Sequence, residues 1–158
     1  MCRTGSREAV RTIMIFGKKE RAIQRILVVE DEPLVAFDNE HLLQDAGYEV
    51  VATVDTLEDA LRVIEEAEEL DLVMADINLT GEGSGIEVAQ AAYSRGIAVM
   101  FVTGDCPGHA REYAVGCLSK PYSDRVLKNA IDAIDAVLRG DEVKKTPEQL
   151  TIFARDAA

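Results

Sequence analysis

Five short apolar runs, each closing on a polar or charged residue, alternate with stretches of helical periodicity from Ile26 onward, and this alternation most restricts the fold. The plainest run is residues 72–79, Leu-Val-Met-Ala-Asp-Ile-Asn-Leu, in which uncharged apolar residues give way to the carboxylate of Asp76. A short continuous apolar run of this kind reads as a strand buried on both faces. Its last residue then emerges at the carboxyl edge of a sheet, where open α/β folds keep their chemistry. Asp76 is accordingly the candidate reactive centre.

The first run, residues 26–29, leads into Glu30-Asp31-Glu32, and Pro33 suits the first turn of a helix because its missing N–H costs nothing there. Leu34, Val35, Leu42 and Leu43 are expected to form the apolar face of that helix, and Gly47 ends it. A second strand spans 49–54. A second helix, 56–67, is capped by Thr56 and turns Ala60, Leu61 and Ile64 inward. A glycine-rich loop, 80–84, precedes a third helix over 85–95, and the fourth strand, 98–102, ends at Thr103-Gly104-Asp105. Pro107 and Gly108 leave room for only a turn or two before Gly116, so the fourth helix is shortened. Residues 117–119 form a short fifth strand ending at Lys120-Pro121, and Ser123 caps a last helix that runs to Arg139. Past Asp141 the chain is polar except for Leu150, Ile152 and Phe153, which are expected to make one amphipathic turn after Pro147. Strands each followed by a helix imply a parallel sheet covered on both faces, since such crossovers are right-handed.

At 158 residues the chain is long enough to bury a core without disulfides or metal staples. The division expected is a basic N-terminal extension (1–25), one domain (26–139) and a C-terminal tail (140–158). Cys2, Cys106 and Cys117 are odd in number and lack metal-ligand spacing, so free thiols in a reducing compartment are expected, in a soluble cytoplasmic protein with no membrane span. The net charge of −12 conceals an asymmetry: residues 1–25 carry seven Lys or Arg against two Glu, which leaves −17 on the remainder. A body that acidic disfavours direct DNA binding, because phosphate contacts need a basic surface. The basic leader reads equally as a docking arm or as a solvated tail.

Placed side by side, the strand ends carry Glu30 and Asp31, then Asp76, Thr103 and Lys120. Clustered carboxylates raise one another's pKa unless a cation is bound, and an all-oxygen set suits Mg²⁺. Lys and Thr beside them would bind the oxygens of a phosphoryl group.

These residues sit in Val-Val-Glu-Asp-Glu-Pro, Met-Ala-Asp-Ile-Asn-Leu, Phe-Val-Thr-Gly and Leu-Ser-Lys-Pro, and the stretch from Ile26 to about Leu138 resembles the receiver domain of bacterial two-component response regulators. The resemblance implies a flavodoxin-like, doubly wound (βα)5 fold with a five-stranded parallel sheet. It implies Asp76 as the phosphoacceptor, loaded by a sensor histidine kinase or a histidine phosphotransfer protein. Asp31, Asp76 and the backbone carbonyl of Asn78 would ligate Mg²⁺, with Glu30 acting through water. Thr103 and Lys120 would hold the phosphoryl oxygens, and the Lys120-Pro121 bond would be cis. Asn78 and Asp105 fall where family members tune attack by water on the aspartyl phosphate.

Two departures bear on mechanism. The position three residues before the lysine, usually Tyr or Phe, is Cys117, so the aromatic switch is absent and a small apolar filler is expected there. Thr103 and Lys120 are also closer together than in typical receivers. Both features are similar to the stand-alone "FAT GUY" receivers, whose Phe-Ala-Thr-Gly-Tyr is matched at Phe101, Thr103 and Gly104 but not at Val102 or Asp105.

About 20 residues follow Leu138, too few for a further output domain, so signalling is expected by protein contact through the fourth helix, fifth strand and last helix. A phosphate sink or shuttle without an effector is the alternative. Either way the resemblance implies a phosphoacceptor that catalyses its own phosphorylation and dephosphorylation rather than an enzyme on a separate substrate. A Mg²⁺-dependent aspartyl-phosphate phosphatase would need an Asp-x-Asp pattern after the first strand, and Glu30-Asp31-Glu32 lacks it.

Overall fold

The computed structural model describes residues 20–106 and 108–153, so most of the basic N-terminal extension lies outside the described residues. In chain order the elements are β1 (Arg25–Val29), α1 (Pro33–Asp45), β2 (Glu49–Val54), α2 (Leu57–Glu66), β3 (Leu72–Ala75), α3 (Gly85–Ser94), β4 (Ala98–Thr103), a 3-10 helix (Gly108–Tyr113), β5 (Gly116–Ser119), α4 (Asp124–Arg139) and β6 (Leu150–Ile152). One sheet holds all six strands in the order β2-β1-β3-β4-β5-β6. The first five are parallel. The chain moves outward from β1 to β2 and then returns to place β3 on the other side of β1. A crevice therefore opens beyond the carboxyl ends of β1 and β3, the switch point at which such sheets bind ligands.

Alternation along the strands sorts the core into two layers. Ile26 and Val28, with Met74, Met100 and Leu118, pack beneath Leu43 of α1 and Leu127, Ile131 and Ile134 of α4. Leu27 and Val29, with Val73, Ala75 and Phe101, face Ala60 and Ile64 of α2 and Val88 and Ala89 of α3. A strand buried on both faces has no polar face to display, which is why these runs are continuous rather than alternating. Thr56 and Ser123 cap α2 and α4 as expected, their side chains accepting from the N–H groups of Asp59 and Val126. Among the described residues no helix is long and apolar enough to cross a membrane.

Two expectations are corrected. Leu34 is 79% exposed, and the buried residues of α1 are Ala36, Asn39 and Leu43. Residues three and seven places on from Ala36 share its inward face, and Leu34 falls off that face at the exposed start of the helix. The tail does turn after Pro147, where the Leu150 N–H donates to the Pro147 carbonyl at 3.0 Å, but it continues into β6, antiparallel to β5. The sheet thus has six strands rather than five. Gly116 admits this pairing, because a Cβ there would lie 2.8 Å from the Thr151 carbonyl oxygen.

A buried polar link ties the last helix to the start of the sheet. The Asp135 carboxylate, 4% exposed, accepts from the Ile23 backbone N–H at 2.7 Å and from Arg139 Nε at 2.7 Å. Asp135→Ala strands both donors and is expected to lower the unfolding free energy by about 2–3 kcal/mol, the scale of a charged hydrogen bond removed with its partner left behind. Asp135→Asn keeps one acceptor and should lose less, a contrast that urea denaturation of the two variants measures.

Candidate functional site

The crevice at the switch point gathers side chains from three strand ends. β1 hands over to Glu30 and Asp31, β3 to Asp76, and β5 to Lys120. Carboxylate oxygens of Glu30, Asp31 and Asp76 all lie within 4.8 Å of one another. Lys120 Nζ donates to Glu30 Oε1 and to Asp76 Oδ2, each at 2.9 Å, with Glu32 Oε1 3.9 Å away. The second oxygen of Asp76 accepts from the Asn78 backbone N–H at 2.9 Å, and that of Glu30 from the Glu32 N–H at 3.1 Å. Three carboxylates against one nearby ammonium leave an excess of negative charge in a pocket where Glu30 and Asp76 are 3% and 6% exposed.

Burial sets the protonation balance. It pushes the Glu30 carboxyl up, and the hydrogen bonds from Lys120 and the Glu32 backbone only partly offset this. Burial would by itself lower the Lys120 ammonium, but its hydrogen bonds to Asp76 and Glu30 outweigh it, and the net shift is upward. Asp31 moves down, chiefly because the Thr80 hydroxyl donates to it.

The remaining expected residues fall around this centre. Thr103, at the end of β4, is 1% exposed, and its hydroxyl is buried with no hydrogen-bond partner among the described residues. Its carbonyl accepts from the Lys120 N–H at 2.8 Å, which sets β4 and β5 in register beside the pocket, and the Lys120-Pro121 bond is cis. Asn78 and Asp105 are both exposed, on the loops that follow β3 and β4. Cys117 is fully buried in the layer containing Phe101, Ala114 and Phe153, as an apolar filler would be. It is not a free thiol, however. Cys106 and Cys117 form a disulfide, with Cα atoms 6.1 Å apart, a separation that such a bond spans without backbone movement. The third cysteine, Cys2, made the total odd and lies outside the described residues.

Two residues were not anticipated. Thr80 holds Asp31 through its backbone N–H at 2.7 Å and through its hydroxyl, both donating to Asp31 Oδ2. Gly85 opens α3 directly against the end of β3: its N–H donates to the Ile77 carbonyl at 2.9 Å, and a Cβ there would overlap the Asp76 carbonyl oxygen. The signal for Gly85 was a glycine at a helix start, where close backbone approach needs one. Thr80 carried no signal, since a hydroxyl in a glycine-rich loop has no distinguishing spacing.

An excess of clustered carboxylate oxygen with an orphaned hydroxyl beside it suits a divalent cation together with an oxyanion. A doubly wound sheet with such a cluster at its switch point places the chain among the α/β proteins that work at the carboxyl edge of the sheet. The chain belongs to the response regulator receiver domain family, which matches residues 26–132, and it is thus a receiver domain of a response regulator in two-component signalling. It is 32% identical over 127 residues to the transcriptional regulatory protein PdtaR of Mycobacterium tuberculosis, an overlap of 76% of this chain and 60% of that protein. It is 34% identical over 79 residues to the phyllosphere-induced regulator PhyR of Methylorubrum extorquens, covering 49% of this chain and 30% of PhyR. The chain thus spans less than two thirds of PdtaR and less than a third of PhyR. Among solved structures, the response regulator TrrA of Thermotoga maritima, crystallised in complex with Mg²⁺-BeF, superposes with a TM-score of 0.60 at 29% identity, covering 70% of this chain and 97% of that one.

Gly85→Ala should force α3 away from the end of β3 and lower stability by about 1–3 kcal/mol, the cost of overpacking a tight contact. Thermal unfolding of the variant checks this.

Proposed function

We propose that this receiver accepts a phosphoryl group on Asp76 from the phosphohistidine of a sensor kinase or of a histidine phosphotransfer protein, in a Mg²⁺-dependent reaction, and signals by protein contact in the cytoplasm. The observation that carries this reading is the Lys120 ammonium, 2.9 Å from Asp76 Oδ2 within a three-carboxylate pocket. An Asp76 carboxylate oxygen attacks phosphorus; the new O–P bond forms as the N–P bond breaks, and its electron pair stays on the imidazole nitrogen. Lys120 then trades a carboxylate partner for a phosphoryl oxygen, and the Thr103 hydroxyl donates to another. Asp31, Asp76 and the backbone carbonyl of Asn78 would hold the Mg²⁺, with Glu30 acting through water. When bound, the ion neutralises oxygens of the transferring group. That TrrA, a neighbour of the same fold, crystallised in complex with Mg²⁺-BeF supports a Mg²⁺-dependent reading here.

The domain promotes its own loading and hydrolysis and acts on no separate substrate. Asn78 and Asp105 orient a water toward phosphorus. The surface for a protein effector lies by the 3-10 helix, β5 and α4. Because the edge of β5 is paired with β6, a partner there meets β6 and the outer side of α4. That PdtaR and PhyR are both named regulators favours an effector over a phosphate sink.

Acetyl phosphate with Mg²⁺ should label the wild type with one phosphoryl group by intact mass. Removal of Mg²⁺ with a chelator should abolish the label, as should Asp76→Asn. Label that survives in Asp76→Asn overturns the assignment. The purified phosphoprotein should lose its label within minutes to an hour or so, and Asn78→Ala and Asp105→Ala should each lengthen the half-life several-fold if they position the attacking water.

A further inference from the structure

We propose that Cys106 and Cys117 are a reversible redox modification site whose state sets how freely the segment after Thr103 can follow a phosphoryl group on Asp76, a coupling that rests on the phosphoacceptor reading above. The pair spans 11 positions and encloses the whole 3-10 helix Gly108–Tyr113. One end is anchored deep: Cys117 is 0% exposed, in register with Phe101 of β4 on one side and Thr151 of β6 on the other. The other end, Cys106, is only half-buried and lies three residues beyond Thr103. The Ser119 hydroxyl, on the register partner of Thr103, donates to Cys106 Sγ at 3.8 Å. The bond therefore clips the β4 loop to β5 beside the one buried hydroxyl that lacks a partner among the described residues.

The chemistry needs an oxidant, for which a low-molecular-weight disulfide suffices. Cys106, the reachable sulfur, attacks as thiolate on one sulfur of that disulfide and releases one thiolate. The Cys117 sulfur then attacks Cys106 Sγ in the mixed disulfide, forms the internal S–S bond, and releases the second. Two electrons pass from the cysteines to the oxidant, and the two thiol protons end on the two small thiols. Reduction runs the same path backward, entering at Cys106 because Cys117 is shielded.

With the clip closed, residues 104–106 cannot shift with Thr103 without dragging β5. With it open they can, so the dithiol should load Asp76 faster.

The test uses the full chain carrying Cys2→Ser, so that no third thiol competes, equilibrated with reduced or oxidised glutathione. Intact mass should show loss of two hydrogens in the oxidised sample and none in a Cys106→Ser variant. Amide exchange across Gly108–Val115 should be faster in the dithiol, and acetyl phosphate labelling about fivefold faster, equivalent to about 1 kcal/mol off the barrier. Cys106→Ser should behave as the dithiol whatever the glutathione state. Failure to form the internal disulfide, or identical exchange and labelling in both forms, overturns the proposal. If neither form labels, the phosphoacceptor role of Asp76 falls and the coupling with it, while mass and exchange still decide whether the pair is a redox site.

Discussion

The bridge from Lys120 to Glu30 and Asp76 is the interaction on which the functional end of the sheet depends. Two buried carboxylates at neighbouring strand ends repel each other, and a cation between them turns that repulsion into cohesion. The side-chain lengths follow from the strand order. Lys120 comes from β5 and Glu30 from β1, three strand spacings of roughly 4.8 Å apart. The two longest side chains thus occupy the outer positions and reach inward, while the short Asp76 sits between them on β3. Exchange of Asp and Glu between these positions would keep the charge and lose the geometry.

Thr103 complements this arrangement. A buried hydroxyl without a partner costs about 1–3 kcal/mol, and here it lies at the end of a strand held in register by Lys120 itself. The pocket therefore holds one donor already engaged by two carboxylates and one hydroxyl without a partner among the described residues. An oxyanion entering next to Asp76 would compete for the first and satisfy the second, so part of the binding energy is already present in the folded chain.

Much of this was legible in the sequence, because parallel strands buried on both faces are continuous apolar runs and their polar stops fall at one edge. The strand-end residues Glu30, Asp31, Asp76, Thr103 and Lys120 were located by those stops alone. What escaped depended on contacts between distant segments. Leu34 was placed inside because it is apolar, whereas the inward face of α1 includes Asn39, whose side-chain carbonyl accepts from the half-buried Tyr122 hydroxyl at 3.3 Å. The disulfide was hidden by an odd cysteine count. β6 was hidden because three alternating residues in a polar tail fit a helical turn as well as a strand, and only the open edge of β5 decides between them.

That edge has a further consequence. The backbone N–H and C=O groups along an outer strand are a template on which another chain can add itself. β6 occupies the template at β5: the Phe153 N–H donates to the Val115 carbonyl and the Ser119 N–H to the Gln149 carbonyl, closing both ends of the short ladder. The sheet's outer strands are then β2 and β6, so the chain covers the edge of β5 with a strand of only three residues. Strand pairing on that side would have to engage β6 rather than β5, and an edge so short offers another chain few backbone groups to pair with.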